Sequence, residues 1–404
     1  MTSVGIIAEY NPLHNGHVYH IQEAKKRTGA DYVIVIMSGN FVQRGAPAIV
    51  DKYIRTKTAL LEGADLVIEL PSYYATSSAQ YFARGAIYLL HKMGVLDFLC
   101  FSSECGDLSS LSHAACLLEK ESTAFKHSLH LFLKKGYSFP MARTYALQSM
   151  GHSSPLLFSP NNLLAVEYLQ ALRYFKSPIR PVTMKRMGAS YHDLSLSTLY
   201  PSASGIRNSL QHSLHPLEEL AVPLSSQSLL KDTPFLYSND FSSLLFYQLL
   251  MNEKDGFSNY VDVSLALSKR IQKNINSFLS FTQFCHLLKT KELTYTRISR
   301  SLLHIMLGMR KETFLQFSEG TMTNYIRILG FRKSSSLLLT SLKKKSQLPI
   351  ISKLADAKKT LTKKEQWLLS EDIRISHIYE SIKTSKTGQP IQNEYTRPLI
   401  IHSP

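Results

Sequence analysis

The feature that most constrains this 404-residue chain is a strand, a tight turn and a helix start within its first twenty residues. The apolar run at residues 4–8 predicts a strand, and Asn11-Pro12 predicts the turn that ends it. His14-x-Gly16-His17 then opens an amphipathic segment. Helix N-termini bind phosphate through unpaired backbone N–H groups and the helix dipole, and a glycine lets a phosphate approach the backbone. The pattern therefore predicts a phosphate-binding loop; the alternative is a surface turn with two structural histidines.

Composition and charge indicate a globular protein with a polyanionic partner. The apolar share is 44% and the net charge is +16. The charge is uneven, because residues 1–180 hold 17 Lys and Arg against 13 Asp and Glu, whereas residues 181–404 hold 29 against 17. A positive field of this kind favours RNA or DNA, with an inert basic surface as the alternative.

Membrane, secretory and metal-site patterns are not found in the sequence. No stretch reaches the roughly 18 consecutive apolar residues of a membrane span, and the N-terminus runs into a strand without the pattern of a signal peptide. The cysteines fit neither a zinc pattern nor a disulfide framework; they are Cys100, Cys105, Cys116 and Cys285. We therefore expect a reduced, cytoplasmic protein without a metal cage of its own.

The first half of the chain alternates strand and helix signals. Five apolar runs predict strands, at residues 4–8, 32–37, 66–70, 95–101 and 181–184. Helices are predicted between the first four, over residues 16–28, 51–62 and 78–93, each followed by a glycine. Repeated units of this kind predict an α/β fold, a doubly wound parallel five-stranded Rossmann-like sheet that binds ligands beyond the carboxyl ends of its strands.

The same signals predict how the chain is divided. Residues 1–215 are expected to form the sheet domain, with a helical insertion at about 107–175. Residues 230–380 are expected to form a second, mostly α-helical domain with a basic surface. Residues 386–404 are polar, contain Gly and Pro, and are expected to form a loose tail.

Further motifs follow the predicted strands in order. They are residues 37–48 (MSGNFVQRGAPA), 65–71 (DLVIELP), 101–107 (FSSECGD), 159–163 (SPNNL) and 185–188 with 191–193 (KRMG and YHD). Together with the His-x-Gly-His loop, they resemble the bacterial tRNA(Met) cytidine acetate ligase family of the nucleotidyltransferase superfamily. The resemblance runs from residue 3 to about 210 and more faintly through the helical half.

The resemblance implies an ATP-dependent ligase. Members of this family activate acetate as acetyl-adenylate, release pyrophosphate and transfer the acetyl group to the wobble cytidine of elongator tRNA(Met), which becomes N-acetylcytidine. The implied cofactor is ATP, with Mg²⁺ carried by its phosphates. The implied partners are acetate and the anticodon loop of the tRNA.

The resemblance also implies a nucleotide site. Its strand–loop–helix region maps onto Ile7, Ala8, Glu9, Tyr10, Asn11, Pro12, His14, Gly16, His17 and His20. After the fourth and fifth strands it adds Ser102, Asn161 with Asn162 as the alternative, and Arg186 with Lys185 as the alternative. Residues 202–207 (SASGIR) resemble the Ser-x-x-x-Ile-Arg signature of nucleotidyltransferases and add Ser204 and Arg207, although Ser202 could equally be a simple N-cap.

Residue chemistry suggests roles within that site. His14 and His17 are expected to stabilise charge on the α-phosphate and on departing pyrophosphate. His20 either contacts the ligand or packs, and the Asn11-Pro12 turn either touches the ligand or only shapes the loop. Arg44 lies in a Gly-rich loop that is expected to be mobile. It could bind a phosphate or the acetate carboxylate, and the alternative is a solvated arginine.

Other basic residues are assigned to surfaces. Lys52, Arg55 and Lys57 are expected on a solvated helix face. The helical half is expected to carry a basic surface that includes Arg327. The residues of this surface that are predicted to bind tRNA are Arg332, Lys333, Lys343, Lys344 and Lys345. Tyr325 and Phe331, among these charges, either stack on bases or belong to the core.

Three other functions remain open at this point. A small-molecule adenylyltransferase of the pantetheine-phosphate or nicotinamide-nucleotide type shares the histidine loop but leaves the basic second half without a role. A non-catalytic RNA-binding module would not need the intact loop. A class I aminoacyl-tRNA synthetase would need a Lys-rich signature after the fifth strand, where residues 185–188 are a poor match.

Overall fold

A computed structural model describes residues 1–119, 122–150, 157, 159–187, 201–318, 322 and 324–403. Motif residues 188 and 191–193 lie outside them. The strands are β1 Ser3–Ala8, β2 Tyr32–Ser38, β3 Phe41–Val42, β4 Ala46–Pro47, β5 Leu66–Leu70, β6 Phe98–Ser103, β7 Arg180–Lys185, β8 Ile326–Arg332, β9 Ile350–Ile351 and β10 Ile400–His402.

Helices surround the strands. They are α1 Asn15–Thr28, α2 Lys52–Leu61, α3 Ser72–Ala75, α4 Ala79–Met93, α5 Leu108–Glu119, α6 Thr123–Lys134, α7 Phe139–Ser149, α8 Pro160–Tyr174, α9 Ala203–His212, α10 Leu224–Lys231, α11 Ser242–Met251, α12 Leu265–Asn274, α13 Phe281–Leu288, α14 Tyr295–Met306, α15 Lys311–Ser318, α16 Ser336–Lys345, α17 Ala357–Thr360 and α18 Lys363–Thr387. Across the described part of the chain, none of them combines the length and apolar character that a bilayer span requires.

Five parallel strands form the centre of the sheet, in the order β5-β2-β1-β6-β7. One face is covered by α1 and α2, whose buried residues pack with Val33 and Val35 of β2. The other face is covered by α4 and α8, which pack with Ile34 and Ile36. Because β2 is apolar on both faces, it can only lie inside such a sheet. The predicted doubly wound five-stranded fold is confirmed.

The sheet extends beyond the five predicted strands. Strand β8 pairs antiparallel with β5, and β9 and β10 pair parallel with β8. Residues expected to be helical therefore add strands at this edge, and Ile400–His402, expected within a loose tail, are paired in the sheet. A strand of only three residues is too short for its periodicity to be recognised from the sequence. The domain division itself stays a prediction.

Helices α11 to α15 and α18, here called the helical part, lie over the carboxyl ends of β2 and β5. Its buried cluster includes Leu249, Phe284 and Leu302, and it also takes in Phe41 and Tyr73, which follow β2 and β5. The loop between β2 and α2 is thus packed between the sheet and the helical part. This places helices beside the edge of the sheet where ligands of such folds bind.

Gly45 is where this loop makes its closest approach to the helical part. Its φ is +76°, and a Cβ there would lie 2.3 Å from the backbone nitrogen of Arg300. We expect Gly45→Ala to lower the free energy of unfolding by about 2–4 kcal/mol, since strain and a backbone clash add together. Gly29→Ala is the matched control, because Gly29 also has positive φ (+62°) but open space around it. Urea unfolding of both variants measures the difference, and equal losses would show that the close contact has no energetic weight.

Candidate active site

His14 and His17 are locked by hydrogen bonds at the start of α1. His14 is the N-cap, and its Nδ1 accepts a hydrogen bond from the Gly16 N–H at 3.1 Å. The Nδ1 of His17 accepts one from the His14 N–H at 3.3 Å, and the two ring centroids are 3.8 Å apart. Because Nδ1 of each ring is an acceptor, the neutral ring carries its proton on Nε2. Each histidine can therefore donate from Nε2 to a ligand.

The three histidines of the loop are held in the neutral form. Burial, with further contributions from the charges of Arg186 and Arg207, lowers the pKa of His14 to about 3. Burial and the neighbouring His14 lower the pKa of His17 well below its ordinary range. Burial and Arg186 lower the pKa of His20 to about 4, although a hydrogen bond with the Cys100 backbone opposes this shift. At neutral pH the site therefore combines neutral imidazole donors with two guanidinium groups.

These shifts predict a pH dependence of stability. The pKa values of His14 and His20 are lower in the folded chain than the ordinary 6.5, so below that pH the unfolded chain binds more protons. The contribution of these histidines to the free energy of unfolding is complete above about pH 6.5. As the pH falls from there toward its folded pKa, each histidine lowers the free energy of unfolding by up to about 1.4 kcal/mol per pH unit. We expect His20→Asn to reduce the loss of stability between about pH 6.5 and about pH 4.5, measured by urea unfolding. An unchanged pH slope in this variant would contradict the assignment.

Asn11 connects the turn to two other segments. Its Oδ1 accepts a hydrogen bond from the Ile49 N–H at 2.8 Å, and its carbonyl oxygen accepts one from Nη1 of Arg207 at 2.7 Å. Nη2 of Arg207 donates to Oγ of Ser204 at 3.1 Å. The Ser202 Oγ accepts from the Gly205 N–H at 3.0 Å and is the N-cap of α9. A second helix N-terminus is thus joined to the histidine loop.

The ends of β6 and β7 form the other side of the site. Ser102 lies near the end of β6, and the N–H of Arg186, directly after β7, donates to the Ser103 carbonyl at 2.8 Å. The charge of Arg186 acts on all three histidines of the loop. Ser102, Arg186 and the histidine loop therefore lie at one edge of the sheet, as predicted. Their contacts with a nucleotide stay predictions.

Glu104 is a site residue that sequence analysis did not single out. Its Oε1 accepts from the N–H and Nδ2 of Asn161 at 3.1 and 2.7 Å, and its Oε2 accepts from the Asn162 N–H at 2.7 Å. The side chain of Asn162, 3% exposed, accepts from the Cys105 N–H at 3.1 Å. A carboxylate thus caps α8, and no sequence signal indicates this because its partners lie 57 and 58 positions away.

Arg55 is buried rather than solvated, so that prediction was wrong. The residue is 1% exposed and donates to the carbonyls of Glu9 and Ser38 at 2.7 and 2.9 Å, and also to the carbonyl of Gly39. Oε1 of Glu9 accepts from the Gln43 N–H at 3.0 Å. Arg55 therefore ties the end of β1 to the end of β2, beside the turn that leads to His14.

The loop that carries Arg44 is held on both sides. Strands β3 and β4 make it a short hairpin, and the Gly45 carbonyl accepts a hydrogen bond from Oγ of Ser299 in α14 at 2.8 Å. We expected a mobile loop, and the structure instead shows one bonded to Glu9 and to α14. Arg44 is half-buried within it, and its contact with a phosphate or with acetate stays a prediction.

Lys52 belongs to a buried ionic cluster, so the prediction that it lies on a solvated helix face was wrong. Lys57 is exposed, as expected. The Nζ of Lys52 lies 2.8 Å from Oε1 of Glu69 and 3.1 Å from Oε2 of Glu394. Arg327 pairs with the same two carboxylates, so it is not part of a basic surface. The cluster joins α2, β5 and β8 to the C-terminal segment.

The predicted tRNA-binding residues lie at the end of the sheet where the parallel strands begin. The histidine loop lies at the other end, where these strands finish. Arg332 donates to the Leu60 carbonyl at the end of α2, and its N–H donates to the carbonyl of Asp65, just before β5. Lys343, Lys344 and Lys345 end α16, and the Lys345 backbone contacts Gly94 beyond the end of α4. All these contacts are at the amino ends of the parallel strands.

Tyr325 is part of the core, which leaves no role for it in base stacking. It is 1% exposed, and its hydroxyl donates to a carboxylate oxygen of Asp372. Phe331 is half-buried and packs against the hydrophobic core. The stacking interpretation of Tyr325 is therefore wrong.

Comparisons with known proteins find relatives that match nearly the whole chain. The profile of the HIGH nucleotidyltransferase family matches residues 1–394. A tRNA(Met) cytidine acetate ligase of Thermoanaerobacter sp. is 40% identical over 387 residues, 94% of this chain and 95% of its own. One of Acetivibrio thermocellus is 37% identical over 420 residues, 99% of this chain and 100% of its own. Crystal structures of Thermotoga maritima TmcAL, apo and bound with alpha-thio ATP, match all of both chains with TM-scores of 0.92 and 0.91, at 31% and 30% identity.

Proposed function

Since this chain belongs to the HIGH nucleotidyltransferase family, and within it to the tRNA(Met) cytidine acetate ligases, we propose that it uses ATP and acetate to acetylate a cytidine of tRNA(Met). The observation that supports this most is the pair of Nε2 donors, His14 and His17, at the N-terminus of α1 beside Arg186 and Arg207. Neutral donors and fixed cations of this kind suit a triphosphate whose α-phosphorus is attacked.

In the first step an acetate oxygen attacks the α-phosphorus of MgATP. The bond from that phosphorus to the bridging oxygen breaks, and pyrophosphate leaves. His14 and His17 donate to the α-phosphate and to the bridging oxygen as charge develops there. Ser204, Arg207 and the N-terminus of α9 hold the β- and γ-phosphates, and Arg44 binds the acetate carboxylate.

In the second step the exocyclic amine of the wobble cytidine attacks the carbonyl carbon of acetyl-adenylate. The bond from that carbon to the AMP oxygen breaks, AMP leaves, and the nitrogen loses one proton to give N-acetylcytidine. The base has to leave its stack to reach the adenylate, which an unpaired base of the anticodon loop does at low cost. This makes elongator tRNA(Met) with an accessible wobble cytidine the proposed substrate.

The proposal is tested by incubating the protein with labelled acetate, ATP and tRNA. We expect label in elongator tRNA(Met) that survives mild base, and much less in the same tRNA with uridine at the wobble position. Label that mild base removes would indicate an aminoacyl-tRNA synthetase instead. Pyrophosphate formed only with pantetheine phosphate or a mononucleotide would indicate a small-molecule adenylyltransferase.

The predicted set of basic residues has a restricted role within this proposal. Arg332 and Lys343 lie at the amino ends of the parallel strands, whereas the adenylate site lies at their carboxyl ends. The length of these strands therefore separates the basic residues from the site. We propose that they contact a part of the tRNA away from the anticodon loop. Phosphate contacts there would add affinity without positioning the reacting base.

A further inference from the structure

A second group of lysines lies around an exposed tryptophan at the start of α18. We define the lysine surface as Lys353, Lys358, Lys359, Lys363, Lys364 and Trp367. All five lysines are exposed, and Trp367 is 42% exposed. Lys353, Lys358 and Lys359 lie in the segment between β9 and α18. Lys363 and Lys364 are the first two residues of α18.

The lysine surface lies on the same side of the sheet as the histidine loop. The Trp367 ring stacks on Phe317 with centroids 5.2 Å apart and lies 6.3 Å from the ring of Tyr73, which follows the carboxyl end of β5. Further along α18, Ser376 accepts from Nδ2 of Asn40, which follows β2, at 2.9 Å. Helix α18 thus extends from the lysine surface along the carboxyl ends of β5 and β2.

These lysines have no carboxylate partner among the residues that the structure describes. None of the five forms an ion pair with a described residue, in contrast to the buried Lys52 and Arg327. The nearby carboxylate of Glu365 accepts from the N–H and hydroxyl of Thr362, both at 2.8 Å, and so serves the N-cap of α18. Nζ of Lys364 lies 5.8 Å from the centroid of Phe317, next to the tryptophan.

Unpaired cations around an exposed aromatic ring have the composition of a surface that binds RNA. Ammonium groups neutralise backbone phosphates, and an exposed ring offers a base or a ribose a stacking face. We propose that the lysine surface binds the phosphate backbone of the tRNA, with Trp367 stacking on one of its nucleotides. The tRNA is thereby held on the side of the sheet where the adenylate forms. This inference rests on the proposed function.

Two quadruple variants with the same change in charge test the proposal. The first replaces Lys358, Lys359, Lys363 and Lys364 with Glu, and its two substitutions at the start of α18 suit the helix dipole. The second replaces Lys333, Lys343, Lys344 and Lys345 with Glu, at the opposite edge. We expect the first to raise the KM for tRNA at least about tenfold, since several phosphate contacts are lost, and to flatten its salt dependence. For the second we expect an increase at most about a third as large, since its phosphate contacts add affinity without holding the tRNA beside the adenylate.

Acetate-dependent ATP–pyrophosphate exchange separates this proposal from the proposed function. We expect the first variant to keep this exchange, because the lysine surface lies away from the histidine loop. Absence of the exchange in the unaltered protein would refute the proposed function itself. Equal increases in the KM for tRNA in the two variants, or none in the first, would overturn the lysine surface.

A measurement on the unaltered protein removes any dependence on how the variants fold. Exposed lysines are acetylated chemically in the presence and absence of tRNA, and the modified positions are counted by mass spectrometry. We expect tRNA to protect Lys358, Lys359, Lys363 and Lys364 at least about threefold more than Lys343 and Lys344, since bound phosphates cover the ammonium groups. Equal protection of both groups, or protection of the second alone, would contradict the proposal.

Discussion

Replacing His17 with Asn is expected to lower acetate-dependent ATP–pyrophosphate exchange by about 100- to 1000-fold, the usual effect of losing one donor to a developing charge. The same loss is expected for His14→Asn. Asparagine is a good N-cap, so it can replace the hydrogen bond that Nδ1 of His14 accepts from the Gly16 N–H, but it has no donor at the place of Nε2. The two variants therefore separate the chemistry of the imidazole from its structural role.

Comparison with His14→Ala completes the experiment. Alanine removes both the cap and the donor, so we expect the same loss of exchange and, in addition, about 1 kcal/mol less stability than His14→Asn. Binding of tRNA, measured without ATP, is expected to stay within about twofold in all three variants, since the phosphate contacts proposed for tRNA lie elsewhere. Exchange at the unaltered rate in either Asn variant would refute the assigned roles.

The largest effect on stability is expected for Lys52→Met. The substitution leaves Glu69 and Glu394 buried, with Arg327 as their shared cation, and loss of one partner from a buried ion pair costs about 3–5 kcal/mol. Denaturant unfolding measures this change directly. Since Glu394 belongs to the C-terminal segment, we also expect faster proteolysis of that segment in the variant.

Lys57→Met is the matched control for this prediction. It makes the same substitution on the same helix at an exposed position, where the expected change is within about 0.5 kcal/mol. A Lys52→Met protein as stable as the control would mean that the buried carboxylates need no second cation.

Local patterns account for the parts of the fold that the sequence predicted. The strand, turn and helix around His14 are specified by adjacent residues, and the glycines that end α1 and α4 have the expected left-handed conformation. The central strand β2 is apolar at six successive positions, which excludes a surface location. These signals lie within windows of a few residues and can be recognised without knowledge of partners.

The errors concern residues whose partners are far away in the sequence. Lys52 resembles a solvated lysine until Glu394, 342 positions later, is brought beside it. Arg55 resembles a solvated arginine until the carbonyls at the ends of two strands, those of Glu9 and Ser38, are brought beside its guanidinium group. The lysine run at residues 343–345 shows its charge but not which edge of the sheet it occupies. Burial and position of this kind follow from tertiary packing, which periodicity does not encode.

The most direct test of the account is a crystal structure of this protein with a non-hydrolysable ATP analogue. We expect the α-phosphate within hydrogen-bond distance of Nε2 of both His14 and His17, and the β- and γ-phosphates beside Arg207 at the start of α9. A nucleotide bound at another place, with both Nε2 atoms free of contact, would contradict the central claim.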